Sequence, residues 1–199
     1  AAADLGLAEM IASGVTTIAD MYMHTDMVAQ RVLSAGISAN LSCGGLFFGG
    51  DFDPKTVHDC VVQEELFRTW HGRGDGQILI DASIHGEYTS QDPLWEWTAD
   101  FAKRNGLGLH VHLSETRSEH EDCVGRHGMT PAAVFEKYGL FDVRAIAAHC
   151  VWTTPEDWAI LAHHGVSAIH NPMSNLKLGS GIAPVPAMKK AGVNVALGT

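Results

Sequence analysis

Hydrophobic and polar positions along this chain fall into two alternating rhythms. Short, nearly continuous apolar runs predict strands at 16–22, 37–43, 78–84, 109–112, 145–150, 166–170 and 194–197. Between them, apolar residues recur at helical spacing and predict helices over 4–12, 26–35, 54–69, 93–104, 117–126, 131–138, 154–163 and 185–190. Gly14, Gly36 and Asn105-Gly106 mark helix ends, and residues 72–76 break the chain again. Thr154-Pro155-Glu156-Asp157 reads as an N-cap followed by an acidic first turn. Residues 174–180 read as a loop.

Strand followed by helix, repeated, implies a parallel sheet covered by helices. Polar residues stand at the C-terminal ends of the predicted strands: Asp20, His85, His112 and His149. That placement favours a βα barrel over a doubly wound sheet, because barrel strands converge on one active-site face. A full barrel needs eight strands and about 250 residues. Seven strand candidates in 199 residues therefore predict one domain, 1–199, forming an incomplete TIM-type (β/α)8 barrel.

Composition narrows the partners. A formal charge of −10 without Lys/Arg clusters argues against a nucleic-acid or anionic-membrane surface. No run approaches the roughly 18 apolar residues of a membrane span, and the opening AAADLGLAEM has no basic n-region. Cys43, Cys60, Cys123 and Cys150 are scattered and form no CxxC pair, as expected of thiols in a reducing cytoplasm.

The candidate chemistry centres on Leu109-His110-Val111-His112-Leu113-Ser114-Glu115-Thr116. Residues i and i+2 of a strand share a face, so His110 and His112 point the same way. Glu115 then lies in the loop beyond the strand. His112 reads either as a metal ligand with Glu115 moving protons beside it, or as a strand-end imidazole beside a helix-capping carboxylate. His110 sits one pleat deeper and reads as packed. His149 ends an apolar strand and reads either as an activator of water or as a hydrogen-bonded core residue. His85 is analogous, with a substrate hydroxyl or ring as its partner. His170 reads as a holder of loop geometry, and His58, His71, His120, His127, His163 and His164 read as solvated on helices or at their ends. There is no GxGxxG, P-loop or GxSxG pattern.

Four ordered motifs carry a resemblance that covers almost the whole chain. They are His112-Leu113-Ser114-Glu115-Thr116, then Ile146-Ala147-Ala148-His149-Cys150-Val151, then the run from His170-Asn171-Pro172-Met173-Ser174-Asn175 to Val185, then Leu197-Gly198-Thr199. Together they resemble the amidohydrolase superfamily, in its methylthioadenosine/S-adenosylhomocysteine deaminase and chlorohydrolase branch. The resemblance implies that His112 is a zinc ligand, with iron as the alternative metal. It also implies that Glu115 binds the heterocycle and protonates its ring nitrogen, that His149 assists the attacking water, and that His85 contacts the substrate. The reaction implied is attack of zinc hydroxide on an amino-bearing ring carbon of a purine-like or other nitrogen heterocycle, with loss of ammonia.

The departures from the family shape the expectations equally. The family's strand-one His-x-His pair has no counterpart here, and its terminal Asp would follow Thr199. The chain is therefore expected to be an internal piece, about strands two to eight, inactive alone and weak in zinc binding. Its unpaired sheet edges imply a homo-oligomer or other assembly that covers them. Residues 43–50 contain no Arg, which weakens the claim of a carboxylate-bearing substrate such as S-adenosylhomocysteine. Two rivals stand beside the deaminase reading: a triazine-type hydrolase that displaces chloride or an amine, and a catalytically dead barrel used for binding.

Overall fold

A computed structural model gives the fold and describes residues 2–199. The chain runs α1 (Ala2–Ala12), β1 (Thr17–Met21), α2 (Thr25–Ala35), β2 (Ser38–Ser42), α3 (His58–Trp70) and a distorted turn α4 (Arg73–Gly76). It continues through β3 (Ile78–Ile80), β4 (Ala82–Ser83), α5 (Asp92–Asn105), β5 (Leu109–Leu113), α6 (Arg117–His127) and α7 (Pro131–Lys137). The last elements are β6 (Ala145–His149), α8 (Pro155–His164), β7 (Ser167–His170), α9 (Pro172–Leu178), α10 (Val185–Lys190) and β8 (Asn194–Leu197).

Every strand pair is parallel, in the orders β1-β2-β3 and β4-β5-β6-β7-β8. The single strand expected at 78–84 is thus split at Asp81. Its first half pairs with β2 and its second with β5. A parallel bridge from Gly45 to Ile84 and the bond from Asp81 N–H to the Leu41 carbonyl (3.0 Å) carry the ladder across the break. The result is a seven-position parallel array with helices over its outer face, a partial TIM-type barrel. Its edges are β1 and β8.

Two apolar clusters join strands to helices. One gathers α1, α2 and β1–β3 around Leu7, Val32, Leu41 and Ile80. The larger one packs α5–α8 on β4–β7, with Trp95, Phe101, Phe135 and Phe141 almost wholly buried. Helix α5 shows how local sequence builds such a layer. Pro93 in its first turn lacks an N–H that would go unused there, and Leu94, Trp95, Trp97 and Phe101 share its inner face. Gly106 ends it at φ 65°, a conformation that costs an L side chain strain. The α6 and α8 starts are capping boxes, Thr116 with Glu119 and Thr154 with Asp157.

Two expected boundaries move. Helix α3 starts at His58 rather than near Pro54, because the Asp53 carbonyl collects the N–H groups of Thr56 and Val57 into a separate turn. The expected loop 174–180 is largely helical, since Pro172 opens α9 and Gly179 closes it in the left-handed region. The position of Asp81 in the strand break has a visible cause. Its buried carboxylate accepts from Gly108 N–H (3.1 Å), Asn40 Nδ2 (3.1 Å) and Arg144 Nη2 (2.7 Å), tying three strand approaches together. Burial pushes its acid strength down despite the Arg144 charge. Asp81→Ala orphans the buried Gly108 donor and should lower unfolding stability by about 1–3 kcal/mol. Asp81→Asn retains an acceptor and should lose less; the urea midpoints of both variants measure this.

Candidate active site

The C-terminal ends of β4–β7 converge, as a parallel array requires. The β5–β6 register pairs His112 with Ala148 and Leu113 with His149. His149 leaves the ladder in the left-handed region (φ 75°), and the rings of His112 and His149 are 5.5 Å apart, those of His85 and His112 4.8 Å apart. Glu115, in the loop after β5, brings Oε2 to 3.6 Å from His149 Nε2. The structure therefore brings His85, His112, His149 and Glu115 to one rim. His110 lies one pleat below, its Nδ1 3.3 Å from Ser42 Oγ.

Each imidazole is held by a defined partner. His112 Nδ1–H donates to the His85 carbonyl at 2.7 Å, which leaves the Nε2 lone pair free. Burial pushes the His112 imidazolium down to about 4 and that of His110 to about 3, and lowers His85 as well. His149 is buried, with Nδ1 2.7 Å from Oδ1 of Asn175, and Nε2 faces Glu115. His85 Nδ1 meets Thr89 Oγ1 at 3.1 Å.

Glu115 is free to face the rim because another carboxylate does the capping. Glu119 accepts from the N–H groups of Ser114 (2.7 Å), Glu115 (2.8 Å) and Thr116 (3.4 Å). The reading of Glu115 as a helix cap is thereby corrected, since Glu119 fills that role. Ser180 Oγ approaches Glu115 Oε1 at 3.5 Å, and Trp152 Nε1 donates to the Ser180 carbonyl at 2.8 Å. Three of the five non-glycine residues with positive φ among those described are Ser114 (47°), His149 (75°) and Cys150 (50°). Left-handed backbone at two adjoining strand ends is strain concentrated at this rim.

Several residues at the rim escape a reading of the sequence. Glu119 carries a signal, the Thr-x-x-Glu capping pattern. Asn175 and Ser180 carry none, because they reach the site only through the fold of α9 and its following turn. The expectation of solvated helix histidines is corrected at three positions, where His120, His127 and His164 are half-buried and meet Ser114, Glu87 and Glu136. His71 is exposed as expected, and its Nδ1 accepts from Ile80 N–H. His58 is well exposed as expected.

A metal would find one preset ligand at the rim. The His112 imidazole, held neutral with its Nδ1–H engaged, has the orientation of a metal-binding histidine. Zinc takes three or four protein ligands. Among the described residues, the group of three ligand atoms close enough to share an ion lies elsewhere, at Glu87, Cys123 and His127. The rim thus fits a metal through His112 without completing its coordination.

The chain is similar to known proteins over its whole length. Residues 1–199 match the amidohydrolase family, and the chain belongs to it. It is 47% identical over 195 residues to the 5-methylthioadenosine/S-adenosylhomocysteine deaminase of Acetivibrio thermocellus, covering 98% of this chain and 44% of that protein. An adenosine deaminase from Xanthomonas campestris with bound zinc superposes with a TM-score of 0.86 at 31% identity, over 100% of this chain and 45% of that one. The zinc complex of atrazine chlorohydrolase from Arthrobacter aurescens does so at 0.86 and 26% identity, over 99% and 47%. The chain spans about half the length of the relatives it matches. No helix among the described residues is long and apolar enough to cross a membrane.

The buried histidines make stability depend on pH. Unfolded imidazoles take up a proton near 6.5, whereas folded His112 and His110 do so only at about 4 and about 3. The unfolded state binds more protons across that interval, so acid favours unfolding. Stability of the metal-free chain should fall from about pH 6.5 to about pH 4, by about 1.4 kcal/mol per pH unit for each imidazole. His110→Gln should flatten that slope, as urea unfolding at several pH values will record.

Proposed function

We propose that this chain forms most of the catalytic barrel of a metal-dependent hydrolytic deaminase acting on an amino-substituted purine-type ring. The observation that carries the reading is the convergence of the Glu115 carboxylate and the His149 imidazole, 3.6 Å apart, beside the free Nε2 of His112. His112 is one ligand of the metal, and further donors complete its coordination in the whole protein. A divalent metal bound there would supply Lewis-acid activation of water.

The chain's own residues perform the proton bookkeeping. Water attacks the ring carbon that bears the amino group and gives up a proton. His149, with Nδ1–H donated to Asn175, presents Nε2 to accept it. Glu115 delivers a proton to the adjacent ring nitrogen, so that charge does not accumulate there as the C–O bond forms. His149 returns its proton to the amino group, the C–N bond breaks with loss of ammonia, and the remaining hydroxyl gives its proton back to Glu115 as the ring carbonyl forms. His85, held by Thr89, stands beside His112 where it can fix a hydroxyl or the ring edge of the substrate.

The similarity to methylthioadenosine and adenosine deaminases supports an adenosine-type ring. Residues 43–50, Cys43 to Gly50, contain no Arg. That favours a neutral substituent on the sugar over a carboxylate-bearing one, which would call for a bidentate partner. The similarity to atrazine chlorohydrolase supports a second reading, displacement of chloride or an amine from a triazine by the same residues.

Ammonia release from methylthioadenosine, S-adenosylhomocysteine and adenosine, with chloride release from a chlorotriazine in parallel, separates these readings in the whole protein. Ammonia from the nucleosides, and at least about a hundredfold loss of kcat in Glu115→Gln, is the expected outcome. Chloride release without ammonia would favour the triazine reading, and undiminished turnover by Glu115→Gln would defeat the proton-transfer role. With one preset ligand at its rim, the 199-residue chain alone is expected to turn over none of them.

A further inference from the structure

Behind the rim, where α6 meets the turn that follows His85, a second set of ligand-type side chains converges. Cys123 and His127 stand four residues apart on α6, on one face of the helix. Glu87 opens a short 3-10 turn, Glu87–Thr89, and points its carboxylate between them. The Glu87, Cys123 and His127 ligand atoms all lie within 4.8 Å of one another. His127 Nε2 is 2.8 Å from Glu87 Oε1, while Arg126 Nη2 is 2.5 Å from Oε2. Glu87 is 2% exposed and Cys123 wholly buried. His127 is partly exposed and borders a cavity of about 290 Å³ that Tyr88, Ser90 and Trp95 also line.

An ion pair with Arg126 accounts for one oxygen of Glu87. It leaves unexplained why an imidazole and a thiol gather at the same carboxylate. We propose that Glu87, Cys123 and His127 form a transition-metal site of the zinc class, separate from the rim and needing none of its residues. The mixed O, S and N donor set suits a borderline-soft divalent ion. Arg126 holds the second carboxylate oxygen and so orients the first, the role of an outer partner of a ligating carboxylate. The cavity beside His127 admits water as the fourth ligand.

Two protons now occupy the place a metal would take. One is shared between His127 and Glu87, and the other is on Cys123, whose thiol donates to the Met129 carbonyl at 3.4 Å and is made a weaker acid by burial and the nearby Glu87 charge. Binding shifts the His127 proton from Nε2 to Nδ1 and releases the thiol proton to solvent, leaving thiolate, neutral imidazole and carboxylate around the divalent ion. The site would work as a clamp. Thr89, at the far end of the Glu87 turn, holds His85, and the start of α6 holds the backbone of Ser114 and Glu115 through Glu119. A filled site ties those two supports of the rim to each other.

Cobalt(II) titration of the 199-residue chain tests the proposal, because a thiolate-to-cobalt charge-transfer band reports a Cys ligand directly. One equivalent should produce the band. Cys123→Ser should abolish it, and Arg126→Gln should weaken cobalt affinity by about 10–100-fold. His112→Asn, at the rim, should leave the band unchanged. If Cys123→Ser does not fold, His127→Ala, at a partly exposed position, decides the matter by losing affinity at least tenfold. No band at one equivalent, a band that survives Cys123→Ser, full affinity in His127→Ala, or loss of the band in His112→Asn would each overturn the site. None of these readouts depends on turnover, so they stand apart from the deaminase reading.

Discussion

Parallel pairing of β5 with β6 is the constraint on which the rim depends. With Leu109 opposite Ala145, the ladder runs residue for residue until Leu113 meets His149. A one-residue slip would turn every side chain of one strand to the other face. His110 and His112 would then turn away from the face they share at the rim. The apolar interior of both strands, packed beneath α5 and α7, specifies that register, since Leu109, Val111, Ala145 and Ala147 are buried together.

Around this ladder, carboxylates have divided labour. Glu119 and Asp157 cap helices, Asp81 bridges the strand break, Glu87 is buried against Arg126 and His127, and Glu115 alone of these faces the rim histidines. The first four are consumed by backbone donors or by cations. Glu115 keeps its oxygens for the rim because Glu119 satisfies the N–H groups around it. A carboxylate without competing strong donors is free to exchange a proton with a bound ring, as the proposed chemistry requires.

The histidines show the same economy of position. His110 and His112 are two residues apart on one strand, yet one is buried against Ser42 and the other exposes Nε2 to the rim. Their neutrality comes from burial, which makes the imidazolium costly and keeps the nitrogen lone pair available. The stability lost in acid is the cost of holding them so. The Glu87, Cys123 and His127 group lies behind this rim and braces the same two loops, so the two regions are mechanically joined whether or not they share chemistry.

The periodicity of the chain carried the alternation of strands and helices, because apolar spacing reflects which face of each element is buried. It also carried the location of His85, His112 and His149, since a polar residue ending an apolar strand has few other reasons to be there. The helix at α9, the strand break at Asp81 and the pairing of His149 with Asn175 left no such trace. Asn175 lies 26 residues from His149, and nothing local marks it as a partner. Likewise His127 reads as a solvated helix end until the Glu87 turn is folded against it. Local pattern records burial, which each residue experiences through its own element. Partnership between distant side chains depends on how those elements are stacked, and that is settled only when the sheet and its helices pack together.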